Sequence, residues 1–86
     1  MPMTSTMNEK ILAVLAEHGR LPVAPETLGD SDDLYAAGMT SHASISVMLG
    51  LEDAFDIEFP DRMLTREVFS SIASIRTALS ELAQAA

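Results

Sequence analysis

Residues 38–55 read GMTSHASISVMLGLEDAF, and this segment combines a helix start with an apolar helical face. Ser41 stands at the expected start, since serine is a preferred residue at helix N-termini. At about 100° per residue, four apolar side chains fall on one face of such a helix. They are Val47, Met48, Leu51 and Phe55. We therefore predict an amphipathic helix from Ser41 to about residue 56, with this face in the core.

Two further helices flank this one. Residues 6–18 carry apolar side chains at helical spacing, after a capping box at residues 6–9. A last helix follows a cap at Ser70 or Ser71, and its apolar stripe comprises Ile72, Ile75, Leu79 and Leu82. Residues 61–69 predict one or two short helical turns. Gly50 lies inside the central helix at a cost of about 1 kcal/mol relative to alanine, so tertiary packing must stabilise that helix.

The connection over residues 19–40 is long, and its prolines and glycines interrupt regular structure. A single helical turn is expected at residues 25–28 or 31–36, and no strand is predicted. The fold class is therefore all-α, a small bundle of three main helices plus one short helix. We expect one domain over residues 1–86, with flexible ends at about residues 1–5 and 83–86.

Composition excludes several classes of protein. The chain has no cysteine and two distant histidines, so we expect no disulfide, no catalytic thiol and no metal site. It carries a net charge of −8, and residues 21–61 contain nine acidic residues but no lysine or arginine. This charge would repel nucleic acids and anionic membranes. The acidic stretch is either ordinary solvated surface or an attractive surface for a basic protein partner.

Neither a signal peptide nor a membrane helix is expected. The first ten residues lack an apolar segment, and no apolar run approaches the roughly 18 residues that a membrane span needs. We therefore expect a cytoplasmic protein. We also expect it to be a monomer.

Ser41 and His42 are neighbours, but this pair does not predict a nucleophile and its base. Adjacent side chains on a helix point about 100° apart, so His42 is badly placed to take the serine proton. Ser41 is therefore either an ordinary helix cap or a hydroxyl that is modified and then carries a group. In either case we expect a protein that is not an enzyme.

Ile45 and Leu49 fall on another side of the predicted helix, among acidic residues. Two aliphatic side chains in that setting are either the margin of a wide core stripe or an exposed docking surface. The acidic neighbours are Glu52, Asp53 and Asp56.

Residues 38–55 resemble the acyl carrier protein family, whose G-x-D-S-L region is followed by a Leu-Glu-x-x-Phe helix. Residues 56–61, which read DIEFPD, are similar to the segment that follows in the family. With the flanking helices included, the resemblance covers nearly the whole chain. It implies a 4′-phosphopantetheine arm on Ser41, whose terminal thiol holds an acyl or aminoacyl group as a thioester.

The resemblance also implies partners. These are a phosphopantetheinyl transferase, a loading ligase and downstream acyl-using enzymes. The chain is similar to small aminoacyl carrier proteins, which are loaded by stand-alone ligases related to class II aminoacyl-tRNA synthetases. A small cargo is favoured because bulky side chains are expected to fill the interior, namely Met48, Phe55, Phe59 and Met63. The predicted partner-binding residues are Thr40, His42, Ile45, Leu49, Glu52, Asp53 and Asp56.

Two residues depart from the family pattern. Thr40 stands where the family usually has Asp, and His42 stands where it usually has Leu. The first change removes a carboxylate expected to contact the transferase, and the second replaces an apolar contact with a polar one. An alternative function follows from these changes, in which the chain is an unmodified helical adaptor that binds proteins without a prosthetic arm.

Overall fold

The computed structural model describes residues 3–85 and the side chains of residues 7–83. Its elements are α1 (Met3–His18), α2 (Ser41–Phe55) and α3 (Ile72–Ala85), with 3₁₀ turns at Pro25–Thr27 and Asp61–Met63. Within residues 3–85 there is no strand, and no helix is long and apolar enough to cross a membrane. The predicted all-α bundle is confirmed. In place of the predicted short helix over residues 61–69, the structure has a 3₁₀ turn at Asp61–Met63 and a second turn over residues 66–69.

Helix boundaries differ from the prediction mainly at the start of α1. The capping box at residues 6–9 predicts Thr6 as the cap of this helix. The helix instead begins at Met3, so Thr6 lies within it. At the other end of the chain, Ser71 caps α3 by accepting a hydrogen bond from the Ser74 amide at 3.1 Å. The predicted flexible ends overlap α1 at residues 3–5 and α3 at residues 83–85, whereas residues 1, 2 and 86 lie outside the described part of the chain.

The core lies where the three helices meet. Side chains with no exposed surface come from each helix and from the long connection, namely Ile11, Leu15, Leu34, Val47, Leu51 and Ile75. The predicted core residues Ile72 and Leu79 are also buried, while Phe55 is half-buried against the same cluster. The Lys10 ammonium lies 5.3 Å from the centre of the Phe55 ring.

Gly50 is explained by the packing of α2 on α1. A Cβ atom at this position would lie 2.6 Å from Cδ2 of His18 and 2.9 Å from Cγ1 of Val14. Such distances are too short for carbon atoms in contact. The glycine therefore permits a close helix approach, and the buried contacts around it compensate for its low helix propensity.

The long connection is attached to α3 by backbone and side-chain bonds. The Leu34 amide donates to the Ser70 carbonyl at 2.7 Å, and the Ala73 amide donates to the Asp30 carbonyl at 2.9 Å. Arg76 donates to the Asp30 carboxylate at 2.8 Å and to the Asn8 side chain at 2.9 Å. These bonds attach residues 30–34 of the connection to Ser70 and to the start of α3.

Candidate functional site

Ser41 is the first residue of α2, and its side chain is exposed. Thr40 precedes it in an extended conformation and is the helix cap, because its hydroxyl oxygen accepts a hydrogen bond from the Ala43 amide at 3.0 Å. The alternative that Ser41 is an ordinary helix cap is therefore wrong. Both residue types make good caps, but only the residue with non-helical backbone angles can take the position. Within the described residues, the Ser41 hydroxyl has no hydrogen-bond partner.

The turn before Ser41 is held by the core. Met39 is buried, and its amide donates to the Leu34 carbonyl at 3.0 Å. Gly38 has a φ of 124°, which side chains with a Cβ atom rarely adopt, and a Cβ atom there would lie 2.7 Å from Cδ of Pro22. The start of α2 is consequently fixed relative to the long connection, while the Ser41 side chain points away from the packed interior.

His42 is exposed beside Ser41. No hydrogen bond in the described part of the chain joins its ring to the serine, in keeping with the different directions of neighbouring side chains on a helix. Within residues 3–85, no group of three or more histidine or acidic side chains is arranged so that it could hold a metal ion.

Ile45 and Leu49 lie outside the core, with exposed fractions of 54% and 56%. This exposure contradicts the core-margin alternative for these two residues. Asp53 and Asp56 are exposed on the same helix or at its end.

Glu52, like Thr40, is a predicted partner-binding residue that bonds to a backbone amide. It is half-buried, and its carboxylate accepts a hydrogen bond from the Phe59 amide at 2.9 Å. This bond ties the end of α2 to the segment that follows it. Glu52 therefore has a structural role that its position on the helical wheel did not reveal.

A groove of about 300 Å³ begins at Ser41 and runs between α2 and residues 64–69. We call it the serine groove. It is lined by Tyr35, Ser41, Ser44, Ile45, Met48, Leu64, Thr65, Arg66 and Phe69. Its walls are mostly apolar, and its lining includes one cation and no carboxylate.

The interior beneath the serine groove is filled by large side chains. Phe59 and Met63 are buried, and the Phe59 ring meets the Phe69 ring edge to face, with centres 5.4 Å apart. Met48 is half-buried and reaches the groove wall. This packing agrees with the expectation that bulky residues occupy the space between the helices.

Sequence reasoning did not assign most residues of the serine groove to the site, and Tyr35, Leu64 and Arg66 are the most informative of them. Leu64 has an exposed fraction of 45% and faces α2 across the groove. The Arg66 guanidinium lies 3.9 Å from the centre of the Tyr35 ring. Tyr35 precedes α2 in the sequence, whereas Leu64 and Arg66 follow it. No local periodicity could therefore have placed them in one groove with Ser41.

Comparisons with known proteins agree on one family. The family described as "Phosphopantetheine attachment site" matches residues 9–79, a span that contains α2 and the serine groove. A curated aminoacyl carrier protein from Agrobacterium fabrum is 54% identical over 69 residues, which cover 80% of this chain and 83% of that protein.

Solved structures are similar in fold and sequence. One is a chain in the crystal structure of an engineered Bradyrhizobium japonicum glycine:[carrier protein] ligase complexed with a carrier protein from Agrobacterium tumefaciens and ATP. It has a TM-score of 0.85 and 49% identity, over 87% of this chain and 97% of the other. A solution structure from Agrobacterium tumefaciens has a TM-score of 0.72 and 47% identity, over 91% of this chain and 94% of the other.

Proposed function

We propose that Ser41 bears the prosthetic arm of this chain. The chain belongs to the phosphopantetheine attachment-site family and is a carrier protein. The cofactor of the family is a 4′-phosphopantetheine covalently attached to a serine. The observation that carries the assignment is the position of Ser41, which combines an exposed side chain, a helix start and a hydroxyl with no partner among the described residues. The arm would supply the thiol that the cysteine-free chain lacks.

Four other serines near the site are engaged in the fold, whereas Ser46 has no hydroxyl hydrogen bond among the described residues but is half-buried within α2. The Ser44 hydroxyl donates to the Ser41 carbonyl at 2.7 Å, and the Ser70 hydroxyl donates to the Glu67 carbonyl at 2.7 Å. Ser71 and Ser74 bond to each other at the start of α3. Their hydroxyls already have partners, which supports Ser41 as the modified residue.

The start of α2 also suits the phosphodiester of the arm. The first bonded amide within the helix is that of Ser44, which donates to the Thr40 carbonyl, and the Ala43 amide is taken by the Thr40 side chain. The amides of Ser41 and His42 precede these, so they remain available to an anion at the positive end of the helix dipole.

We further propose that the cargo is a small aminoacyl group. The support is the 54% identity to an aminoacyl carrier protein and the similarity to a chain crystallised with a glycine:[carrier protein] ligase. A ligase of that kind would load the arm, and a downstream enzyme would take the aminoacyl group from it. In this scheme the chain presents the thioester and its partners do the chemistry.

The predicted partner-binding residues would dock those enzymes. Ile45 and Leu49 supply exposed apolar surface, Asp53 and Asp56 supply charge that attracts a basic partner, and His42 lies beside the arm. Thr40 and Glu52 contribute through the fold, since each bonds to a backbone amide. The cytoplasmic location and the monomeric state stay predictions, which cell fractionation and light scattering would test.

Intact-protein mass spectrometry tests the assignment. The protein is incubated with coenzyme A and a broad-specificity phosphopantetheinyl transferase, and we expect wild type to gain the mass of one arm. Ser41→Ala should gain none, whereas Ser44→Ala, three residues further along α2, should gain one. An arm on Ser41→Ala would contradict the assignment. A wild-type protein that never gains an arm would instead support the unmodified adaptor.

A further inference from the structure

We propose that Arg66 is the cationic contact for the phosphodiester on Ser41, and that Tyr35 positions its guanidinium in the serine groove. This inference rests on the proposed function, because it concerns the group attached to Ser41. It assigns a role to two residues that lie outside the predicted partner-binding set.

The first argument is charge. The protein has a net charge of −8, yet the lining of the serine groove contains Arg66 and no carboxylate. Residues 21–61, which contribute Ser41 and much of the groove, contain no lysine or arginine at all. A phosphodiester carries one negative charge at neutral pH, and an acidic protein would repel it. Arg66, the one cation in the groove lining, can therefore offset the negative charge of the phosphodiester.

The second argument is the state of the Arg66 side chain. Its guanidinium lies 3.9 Å from the centre of the Tyr35 ring, a distance typical of a cation on an aromatic face. A guanidinium held over a ring in this way still has N–H donors to offer to an anion. Within residues 3–85, no carboxylate lies within 4.0 Å of Arg66.

Two other arginines behave differently. Arg76 is paired with Asp30 at 2.8 Å, and Arg62 lies 3.9 Å from Glu81. Neither of them lines the serine groove. Arg66 thus combines a place in the groove that Ser41 also lines, a contact with the Tyr35 ring and donors without a carboxylate partner, which suits it to bind a phosphate oxygen.

Nuclear magnetic resonance of the apo and modified proteins tests the contact directly. The modified form is made from apo protein with coenzyme A and the transferase, and the mass of each sample is checked first. We expect the Nε–Hε signal of Arg66 to shift on modification and that of Arg62 to stay in place. We also expect the ³¹P signal of the arm to differ between wild type and Arg66→Gln, and to be the same in wild type and Arg62→Gln.

Tyrosine fluorescence gives an independent readout, because the chain has one tyrosine and no tryptophan. Modification should change Tyr35 emission in wild type and in Arg62→Gln, but not in Arg66→Gln. Arg66→Lys keeps the charge but lacks the planar donors, so its ³¹P signal should lie between those of wild type and Arg66→Gln. Because salt screens a point charge, the signal of Arg66→Lys should move toward that of Arg66→Gln as salt is added. A purely structural role for Arg66 would not produce this order.

The outcomes separate the two proposals. If the mass shows one arm while the Arg66 signal, the ³¹P signal and Tyr35 emission do not respond as described, the role of Arg66 is overturned and the function of Ser41 stands. If no variant gains an arm, the proposed function fails and this inference fails with it. Thermal unfolding of each variant controls for folding, and the exposed position of Arg66 predicts melting close to wild type.

Discussion

The Thr40 hydroxyl accepts a hydrogen bond from the Ala43 amide at 3.0 Å, so the residue before the candidate attachment serine, and not the serine itself, caps α2. The two roles are therefore divided between neighbours. Thr40 stabilises the helix start, and Ser41 is free to react. The carrier family usually has aspartate at the position of Thr40, and aspartate and threonine are both preferred caps. The departure from the family pattern thus keeps the same local structure.

Removing the Thr40 hydroxyl should destabilise the protein. We expect Thr40→Val to lower the free energy of unfolding by about 1 kcal/mol, the usual effect of losing a helix cap, and Thr40→Asp to leave it near the wild-type value. Urea unfolding of the apo protein measures both. Ser41→Ala should change the free energy of unfolding by less than about 0.5 kcal/mol, as an exposed substitution. A larger loss from Ser41→Ala than from Thr40→Val would show that the serine is the cap after all.

Truncating the core face of α2 should be far more damaging than truncating its exposed face. Leu51 has no exposed surface, so Leu51→Ala should lower the free energy of unfolding by about 2–5 kcal/mol. Leu49→Ala is the matched control, the same substitution in the same helix at a side chain that is 56% exposed. Its effect should stay within about 0.5 kcal/mol. Equal denaturant midpoints for the two variants would mean that the helix is rotated relative to the structure.

Adding a methyl group at Gly50 should destabilise the protein despite the better helix propensity of alanine. Propensity alone would favour Gly50→Ala by about 1 kcal/mol, but overpacking typically costs about 1–3 kcal/mol. The new Cβ atom would meet the His18 ring at 2.6 Å and the stiff, β-branched Val14 at 2.9 Å. Urea unfolding should therefore show a net loss.

A double-mutant cycle checks the cause. His18→Ala opens space for the new methyl group, so Gly50→Ala should be better tolerated in the His18→Ala protein than in wild type. If the two substitutions are simply additive, the close approach of His18 and Gly50 does not limit the packing.

The Asp30–Arg76 pair should make stability depend on pH in the acid range. The hydrogen bond and the positive charge of Arg76 lower the pKa of Asp30 below its usual value. A carboxyl whose pKa is lower in the folded state stabilises the fold above the pKa it has when unfolded, about 3.9. This contribution is lost as pH falls through the lower folded pKa.

Asp30→Asn tests this dependence. The difference in free energy of unfolding between wild type and Asp30→Asn should be constant near neutral pH and should shrink as pH falls below about 4. Asp53→Asn serves as the control, because Asp53 is exposed and has no ion pair within residues 3–85. A wild-type advantage over Asp30→Asn that persists undiminished at the lowest pH would contradict the assignment.

The proposed partner-binding residues on α2 should control loading in two distinct ways. Asp53→Lys should slow aminoacyl loading of the modified carrier most at low salt, because added salt already screens the wild-type attraction. Leu49→Ala should slow loading about tenfold with little salt dependence, because losing an apolar interface anchor costs about 1–2 kcal/mol. The measurement is the rate of thioester formation by the loading ligase at two ionic strengths. If both variants load like wild type, this surface does not dock the ligase.

The helices and the core were predictable because helical periodicity is local. Val47, Leu51 and Ile75 were expected in the core from their spacing alone, and all three are fully buried. The start of α2 at Ser41 was predicted correctly, but the residue that caps it was not. The error arose because Thr40 and Ser41 are both good caps, and backbone conformation decides between them. The start of α1 was placed too late, since a capping box at residues 6–9 also fits inside a helix that begins earlier.

The all-α class and the serine on which the carrier resemblance rests followed from the sequence alone, as did the position of Ile45 and Leu49 on a helix side away from the main core stripe. That these two side chains are exposed was shown by the structure. Only the tertiary structure showed that Glu52 bonds to the Phe59 amide and that Gly50 permits α1 and α2 to approach closely. Tertiary structure alone also brought Arg66 and Tyr35 to the groove beside Ser41. The physical reason is distance along the chain. Periodicity reports which face of one helix is apolar, whereas a groove depends on how separate segments pack across the core.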